Sequence, residues 1–547
     1  MNQGWTFAGV WEAVADAHPD YLAQVQGDRS IRWRDFDRRA DGVARTLLDA
    51  GLGRQAKVGQ YLYNCPEYLE SMFGVFKAGL APVNVNYRYT DDELHYLWQD
   101  ADVEAVVFDS SFTDTCDRLR LRLPAIKCWI RVRLPDRVDD GPAPEWAIDY
   151  EVAAESVDSR VVAPWGRSAD DLYLLYTGGT TGMPKGVMWP QGNLFRYLES
   201  LSRREHPEPP DYPAYAAAIS KPGPRVLPAP PLMHGAGAWF SMSVLCRAAC
   251  VVTMVNRTFV PTDVLDTLAA QQVNGLAVVG DPFGRPLADA LDADPGRWDL
   301  SALKVIVTSG AVLSAQTKQR FRQHLPGIMV VDALGSSETG AIAQSKTGGD
   351  SGSETGSFAL KPGSKVIDDD GREVQPGSGR AGRLAVSGNL PLGYYKDPVK
   401  SAQSFITLNG TVHAFTGDWV QVEADGVTIR LLGRGSQCIN TGGEKVFAEE
   451  VEEVVKTHPS VADAVVVGVR DERYGQAVAA VVQAVPDSGV TEDEVVEHVR
   501  SHLARYKAPR HVIFVEDVNR AGNGKADPTA LRALAEERLG LRSGVSA

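Results

Sequence analysis

The sequence predicts an α/β protein with a large N-terminal part and a small α+β unit behind it, and three observations carry that prediction. Strand-like and helix-like patterns alternate through most of the 547 residues, the mark of a layered α/β architecture. Three short apolar runs (172–176, 304–308 and 329–332) each lead into a loop rich in Gly, Ser and Thr. Such strand ends are where α/β proteins hold their ligands, so the three loops can converge on one site. Finally, a glycine-containing tether at 432–436 precedes a last stretch with its own helices and strands, of about 110 residues, a size that suits one small domain.

The elements follow in order. Val43, Leu47 and Leu48 recur at helical spacing and Gly51 stands at the C-terminal cap. The proline-rich stretch 205–231 predicts a long surface excursion, and 346–357 (KTGGDSGSETGS) predicts a loop. Beyond the tether, Val451, Val454 and Val455 predict a helix over 448–456, and strands are expected at 465–469 and 478–482. Thr491 with Glu494 makes a capping box for a helix lined by Val495, Val499 and Leu503, and 511–515 is a further strand. No internal repeat is evident.

Composition excludes several classes. A net charge of −14, with 44% hydrophobic and 23% charged residues, is globular and argues against a surface that grips nucleic acid or anionic lipid. A local cluster of N–H groups with one lysine can still hold a triphosphate. The six cysteines form no C-x-x-C pair. Cys246 and Cys250, spaced to share a helix face, are expected as buried small hydrophobes rather than metal ligands. A reducing, cytoplasmic compartment fits. The N-terminal stretch does not have the pattern of a signal peptide, and no apolar run reaches membrane-spanning length, so stable membrane insertion is not expected.

The strongest chemical signal is Tyr176-Thr177-Gly178-Gly179-Thr180-Thr181-Gly182-Met183-Pro184-Lys185-Gly186. Glycines let backbone N–H groups approach an anion, threonines add donors and Lys185 adds charge, which together make a phosphate loop. It is not a Walker A loop, because Pro184 replaces a required glycine and Gly186 follows the lysine.

This loop resembles the signature of the adenylate-forming (ANL) superfamily, which contains acyl-CoA synthetases, and the resemblance runs from about Trp5 to Lys525. It implies a large adenylation domain over 1–434, a hinge at 435–436 on Ser436, and a small mobile domain over 437–547. Asp332-Ala333-Leu334-Gly335-Ser336-Ser337-Glu338 resembles the second ATP motif. It implies Glu338 as a Mg²⁺ ligand together with Thr180, Asp332 on the adenine amino group, Ser337 near the phosphates, and Leu334 in place of the usual aromatic wall. Ser309-Gly310-Ala311 resembles the turn along adenine. Asp418 in T-G-D and Arg434 in G-R match the ribose ligands. Lys525, in a segment where Asn519 takes the usual proline position, matches the lysine that enters the site and neutralises charge at the reacting carboxylate and α-phosphate. Gly442 and Gly443 match the border of the pantetheine tunnel.

The segment Pro230–Trp239 matches the acyl pocket, with His234 beside the carboxylate and Gly235, Ala236 and Gly237 leaving room for a bulky acid; 280–286 is expected to form another wall. The family reading is an AMP-forming acid–thiol ligase using ATP, Mg²⁺ and coenzyme A on an apolar carboxylic acid: fatty, branched, arylalkanoic or derived from a steroid side chain. The motifs are similar to an actinobacterial branch of fatty-acyl and steroid-side-chain CoA ligases. The rival readings are a ligase loading a separate carrier protein, a luciferase-like oxygenase, and a non-catalytic nucleotide-binding regulator. Nucleic-acid partners are not expected, and a homodimer is left open.

Overall fold

The computed structural model describes residues 4–133, 141–177, 183–200, 206, 208–347, 356–434, 438–441, 444–471, 475–503, 505–520 and 526–541. Among them the strands build sheets of seven, fourteen and five strands. The seven-stranded sheet runs through Val103–Asp109, Lys57–Tyr61, Ala81–Asn84 and Leu172–Thr177 in parallel and closes on Lys185–Pro190, antiparallel to its neighbour. Its central strands are buried on both faces, which is why they read as apolar runs rather than alternations. Helix Pro66–Lys77 packs beside it, buried along its whole length. Lys77 is tolerated there because Glu12, Asp37 and Asp41 lie 2.9, 2.7 and 2.9 Å from its ammonium.

The largest sheet changes character midway. Strands Arg225–Pro228, Gly275–Val278, Val305–Ser309 and Met329–Ser336 are parallel. From Met329–Ser336 onward the pairing is antiparallel, through Gly340–Thr347, Ser357–Leu360, Thr428–Arg434 and Thr411–Val422. The ends of Val305–Ser309 and Met329–Ser336 therefore lie at this change of direction.

Thr428–Arg434 pairs in the large sheet and Cys438–Thr441 in the five-stranded one. In the small unit, strands Val461–Asp471 and Gly475–Ala484 form a long antiparallel pair that His511–Val515 joins in parallel. Val451 and Val455 of helix Ala448–Lys456 and Val495 and Val499 of helix Glu492–His502 cover one face. Leu531 and Ala535 of helix Pro528–Arg538 cover the other. The Thr491–Glu494 capping box is formed, and Gly51 takes φ +77° behind helix Trp33–Asp49.

Three expectations need correction. The stretch 205–231 is no surface excursion where it is described: Tyr212 and Tyr215 pack on the buried Trp5 ring at 5.1 and 5.4 Å, and Arg225–Pro228 is a strand of the large sheet. Proline content misled because aromatic burial overrides it. Cys246 caps a helix and Cys250 opens a strand, so they share no helix face, although both are buried and free. The run starting at Met329 does not end at Asp332 but continues to Ser336, held by pairing with Gly340–Thr347. Of the loop expected at 346–357, residues 348–355 lie outside the described residues.

Candidate active site

The stretch expected to hold phosphate joins the two strands of a β-hairpin. Leu172–Thr177 and Lys185–Pro190 pair with Thr177 opposite Lys185. Gly178, Gly179, Thr180, Thr181 and Gly182 lie outside the described residues. The entry to the loop is held from below. Asn84, buried on the neighbouring strand, accepts from the Tyr176 amide at 2.6 Å and donates to the carbonyls of Tyr176 (2.9 Å) and Met233 (2.6 Å). One amide thus fixes both this hairpin and the turn carrying His234. The Tyr176 hydroxyl donates to Asp100 at 2.6 Å, and the ring lies so close to Gly186 that no side chain fits there.

On the exit strand, Lys185 Nζ donates to Asp397 Oδ2 at 2.7 Å. This contact belongs to a strip at 392–397 that pairs along the hairpin. The Met188 amide donates to the Gly393 carbonyl (2.9 Å), the Tyr395 amide to the Gly186 carbonyl (2.7 Å), and Val187 bridges Tyr394.

The second motif is built on a bulge. Strand Met329–Ser336 loses register between Leu334 and Gly335, which re-aims the chain before the turn Ser337-Glu338-Thr339. In that turn the Ser336 amide donates to Thr339 Oγ1 (3.2 Å) and the Glu338 amide to Ser336 Oγ (3.3 Å). Trp189 of the 172–190 hairpin donates its indole N–H to the Ser337 carbonyl at 2.9 Å, and Tyr394 donates to Glu338 Oε1 at 2.8 Å. Lys185 and Glu338 are therefore braced by the same short strip.

Asp332 lies 2.9 Å from Lys318, both largely buried. Burial pushes the Asp332 carboxyl up, and Lys318 opposes that shift. Ser309 and Ala333 are register partners on adjacent parallel strands, and Gly310 turns away at φ +81°. Ser309, Gly310, Ala311, Asp332 and Ala333 are thus brought together along one edge. Asp418, buried, sits opposite Arg434 across the antiparallel pair.

His234 caps helix Gly235–Leu245. Its turn is anchored by Asn64, which accepts from the Leu232 amide (2.6 Å) and donates to the Pro228 (3.3 Å) and Pro230 (3.1 Å) carbonyls. Gly237 does not leave room for an acid as expected: a Cβ there would meet the Pro231 and Pro230 carbonyls, so the glycine serves close backbone packing. Trp239 packs edge-on against Trp189 at 5.6 Å and near Tyr197 at 5.9 Å. The expected wall at 280–286 opens helix Gly280–Ala293, whose Arg285 donates to the Ala462 carbonyl of the small unit.

Ser436, Gly442, Gly443 and Lys525 lie outside the described residues, and so does the side chain of Arg434. Sequence reasoning missed Asn84, Trp189, Lys318, Tyr394 and Asp397. The run Gly393-Tyr394-Tyr395-Lys396-Asp397, aromatic and oppositely charged after a glycine, was the available signal for the last two. Glu338 suits Mg²⁺, a hard cation that takes one or two carboxylates with phosphate and water.

Residues 11–395 match the AMP-binding enzyme family model, and residues 450–525 match the AMP-binding enzyme C-terminal domain. The chain is similar to a medium/long-chain-fatty-acid–CoA/3-oxocholest-4-en-26-oate–CoA ligase of Mycolicibacterium smegmatis, at 39% identity over 97% of this chain and 96% of that protein. It is similar also to a 3-oxocholest-4-en-26-oate–CoA ligase of Rhodococcus rhodochrous, at 38% over 98% and 96%. Among solved structures, ATP-bound MatB from Rhodopseudomonas palustris superposes with a TM-score of 0.80 at 26% identity, covering 98% of this chain and 100% of that one. The fold is likewise that of anthranilate CoA ligase AuaEII in complex with anthranoyl-AMP, with a TM-score of 0.83 at 22% identity and 99% coverage of both chains. With a large N-terminal domain and a small C-terminal domain that both match, the chain belongs to the AMP-binding enzymes of the adenylate-forming superfamily.

Proposed function

We propose that the protein is an acyl-CoA synthetase that converts an apolar carboxylic acid to its acyl-adenylate with ATP and then to its CoA thioester. The observation that carries this reading is the convergence of Lys185 and Glu338 on one strip, which sets a cation and a carboxylate at one phosphate-loop hairpin. The named activities of the relatives at 38–39% identity support it and favour a fatty or steroid-side-chain acid. Buried free cysteines suit a reducing, cytoplasmic setting. Among the described residues no helix is long and apolar enough to cross a membrane.

In the first half-reaction the acid carboxylate attacks the α-phosphorus and pyrophosphate departs. Lys185, with the hydroxyls and amides of 177–182, orients the β- and γ-phosphates, and Asp332 and the 309–311 turn hold the adenine. Asp418 and Arg434 hold the ribose, while Lys525 offsets charge at the reacting centre. Mg²⁺, held by Glu338 with Thr180, would neutralise the phosphate oxygens. In the second half-reaction the CoA thiol attacks the adenylate carbonyl and AMP leaves. The small domain, 437–547, is proposed to turn at 435–436 between the two steps, exchanging Lys525 for the stretch around Gly442 and Gly443.

The test is acid-dependent exchange of labelled pyrophosphate into ATP, followed by CoA-dependent AMP release, across chain-length, aryl and steroid carboxylic acids. AMP release that needs both CoA and an apolar acid is expected. ATP binding without acid-dependent exchange would instead identify a regulator.

A further inference from the structure

The strip at 392–397 does more than brace the hairpin. Lys396 sits at φ +55°, a left-handed conformation that costs a non-glycine residue about 1 kcal/mol or more and recurs where backbone geometry serves function. The kink brings Tyr394 and Asp397 into a two-residue bridge, so that one contacts Glu338 and the other Lys185. Asp397 uses its two oxygens differently: Oδ1 accepts from the Lys400 amide at 2.8 Å and caps helix Pro398–Ser404, while Oδ2 takes Lys185. The Lys185 side chain is 40% exposed and that of Asp397 31%. A pair this open is weak and readily exchanged.

We propose that Asp397 is a placeholder for a nucleotide phosphate: its carboxylate holds Lys185 on the nucleotide-free enzyme and is exchanged for a phosphate oxygen when ATP binds. The inference rests on the reading of Lys185 as a ligand of the β- and γ-phosphates. Pairing with Asp397 holds the Lys185 ammonium at a fixed place, 5.9 Å from the Tyr394 ring centroid. The placeholder therefore has a cost to affinity and a benefit in orientation. Asp397 is a positioning residue and touches no reacting atom.

The test uses the full chain and compares ATP and AMP affinities, by calorimetry with Mg²⁺ and without acid, for wild type, Asp397→Asn, Lys185→Ala and the double variant. Asparagine keeps the cap to Lys400 and removes the charge. Asp397→Asn should bind ATP about two- to five-fold more tightly, the range that a surface ion pair commands. It should leave AMP affinity unchanged, and the gain should vanish when Lys185 is alanine. Unchanged or weaker ATP binding overturns the placeholder, as does an equal gain in the Lys185→Ala background, which would report general repulsion instead. Failure of this proposal alone leaves wild-type pyrophosphate exchange intact. An absence of both ATP binding and exchange in the wild type overturns the proposed function as well.

Discussion

The Tyr394 hydroxyl donates to Glu338 Oε1 across 2.8 Å, joining residues 56 positions apart in the chain. Burial, with the Glu338 carboxylate beside it, pushes the phenol well above its usual range, so it remains a donor throughout the working pH range. If Glu338 binds the metal, this bond would hold its carboxylate in place and so tune the metal site. Tyr394→Phe should therefore lower kcat/KM for pyrophosphate exchange about ten-fold, the equivalent of one hydrogen bond to a charged group. It should also raise the Mg²⁺ concentration needed for half-maximal ATP binding. A variant with normal Mg²⁺ dependence would show that Tyr394 only packs.

Gly335 makes a second, purely steric prediction. A Cβ at this position would run into the Gly340 carbonyl, and the nearest atoms are all backbone of Gly340 and Ala341, with no flexible side chain to yield. Gly335→Ala should destabilise the protein by roughly 2–3 kcal/mol, in the range of overpacking, and weaken ATP binding because Glu338 lies just beyond the bulge. Denaturant midpoints and calorimetry read the two effects. An unchanged midpoint would remove the argument that the bulge requires glycine.

Lys361 gives a pH signature. Its ammonium donates to the Ala341 carbonyl and lies 5.5 Å from the Tyr197 ring centroid, and burial pushes its pKa down from 10.5 to about 8. The unfolded chain thus binds more protons than the folded one between about pH 8 and 10.5, and stability contributed by this site rises as pH climbs through that window. Lys361→Met removes the titration. Relative to that variant, the wild type should gain roughly 1–2 kcal/mol from pH 8 to 10, a range discounted for partial exposure. Parallel pH profiles for the two proteins would contradict the lowered pKa.

What the sequence made legible was local. The strand at 511–515, the Thr491–Glu494 capping box and the helix at 448–456 depend on residues within a few positions of one another, and each is where periodicity and capping put it. Residues 172–176 were legible because an apolar run ends at a glycine-rich stretch of sequence. Pairings across the chain were not. Lys185 and Asp397 stand 212 positions apart, and nothing in either neighbourhood names the other. Leu334 to Ser336 looked like loop by composition and became strand because Gly340–Thr347 supplies an antiparallel partner. Gly237 looked like room for substrate until the Pro230 and Pro231 carbonyls appeared beside it.

Lys525 carries the sharpest prediction about division of labour between the domains. Residues 521–525 lie outside the described residues, but the chain leading into them is braced. Arg520 donates through Nε and Nη2 to Asp463 (2.5 and 3.0 Å) and to the Ala464 carbonyl (3.2 Å). The adjacent Ala462 carbonyl accepts from Arg285 on helix Gly280–Ala293 of the large domain. The segment before the lysine is thus fixed to the small domain beside a contact with the large one, so a turn of the small domain would carry Lys525 with it. Lys525→Ala should slow acid-dependent pyrophosphate exchange by about 10²–10³, the effect of removing one positioned charge-stabilising group. Thioester formation from supplied acyl-adenylate and CoA should remain within a few-fold of wild type. Equal loss in both half-reactions would mean that the lysine serves one fixed arrangement, and the proposed turn at 435–436 would lose its reason.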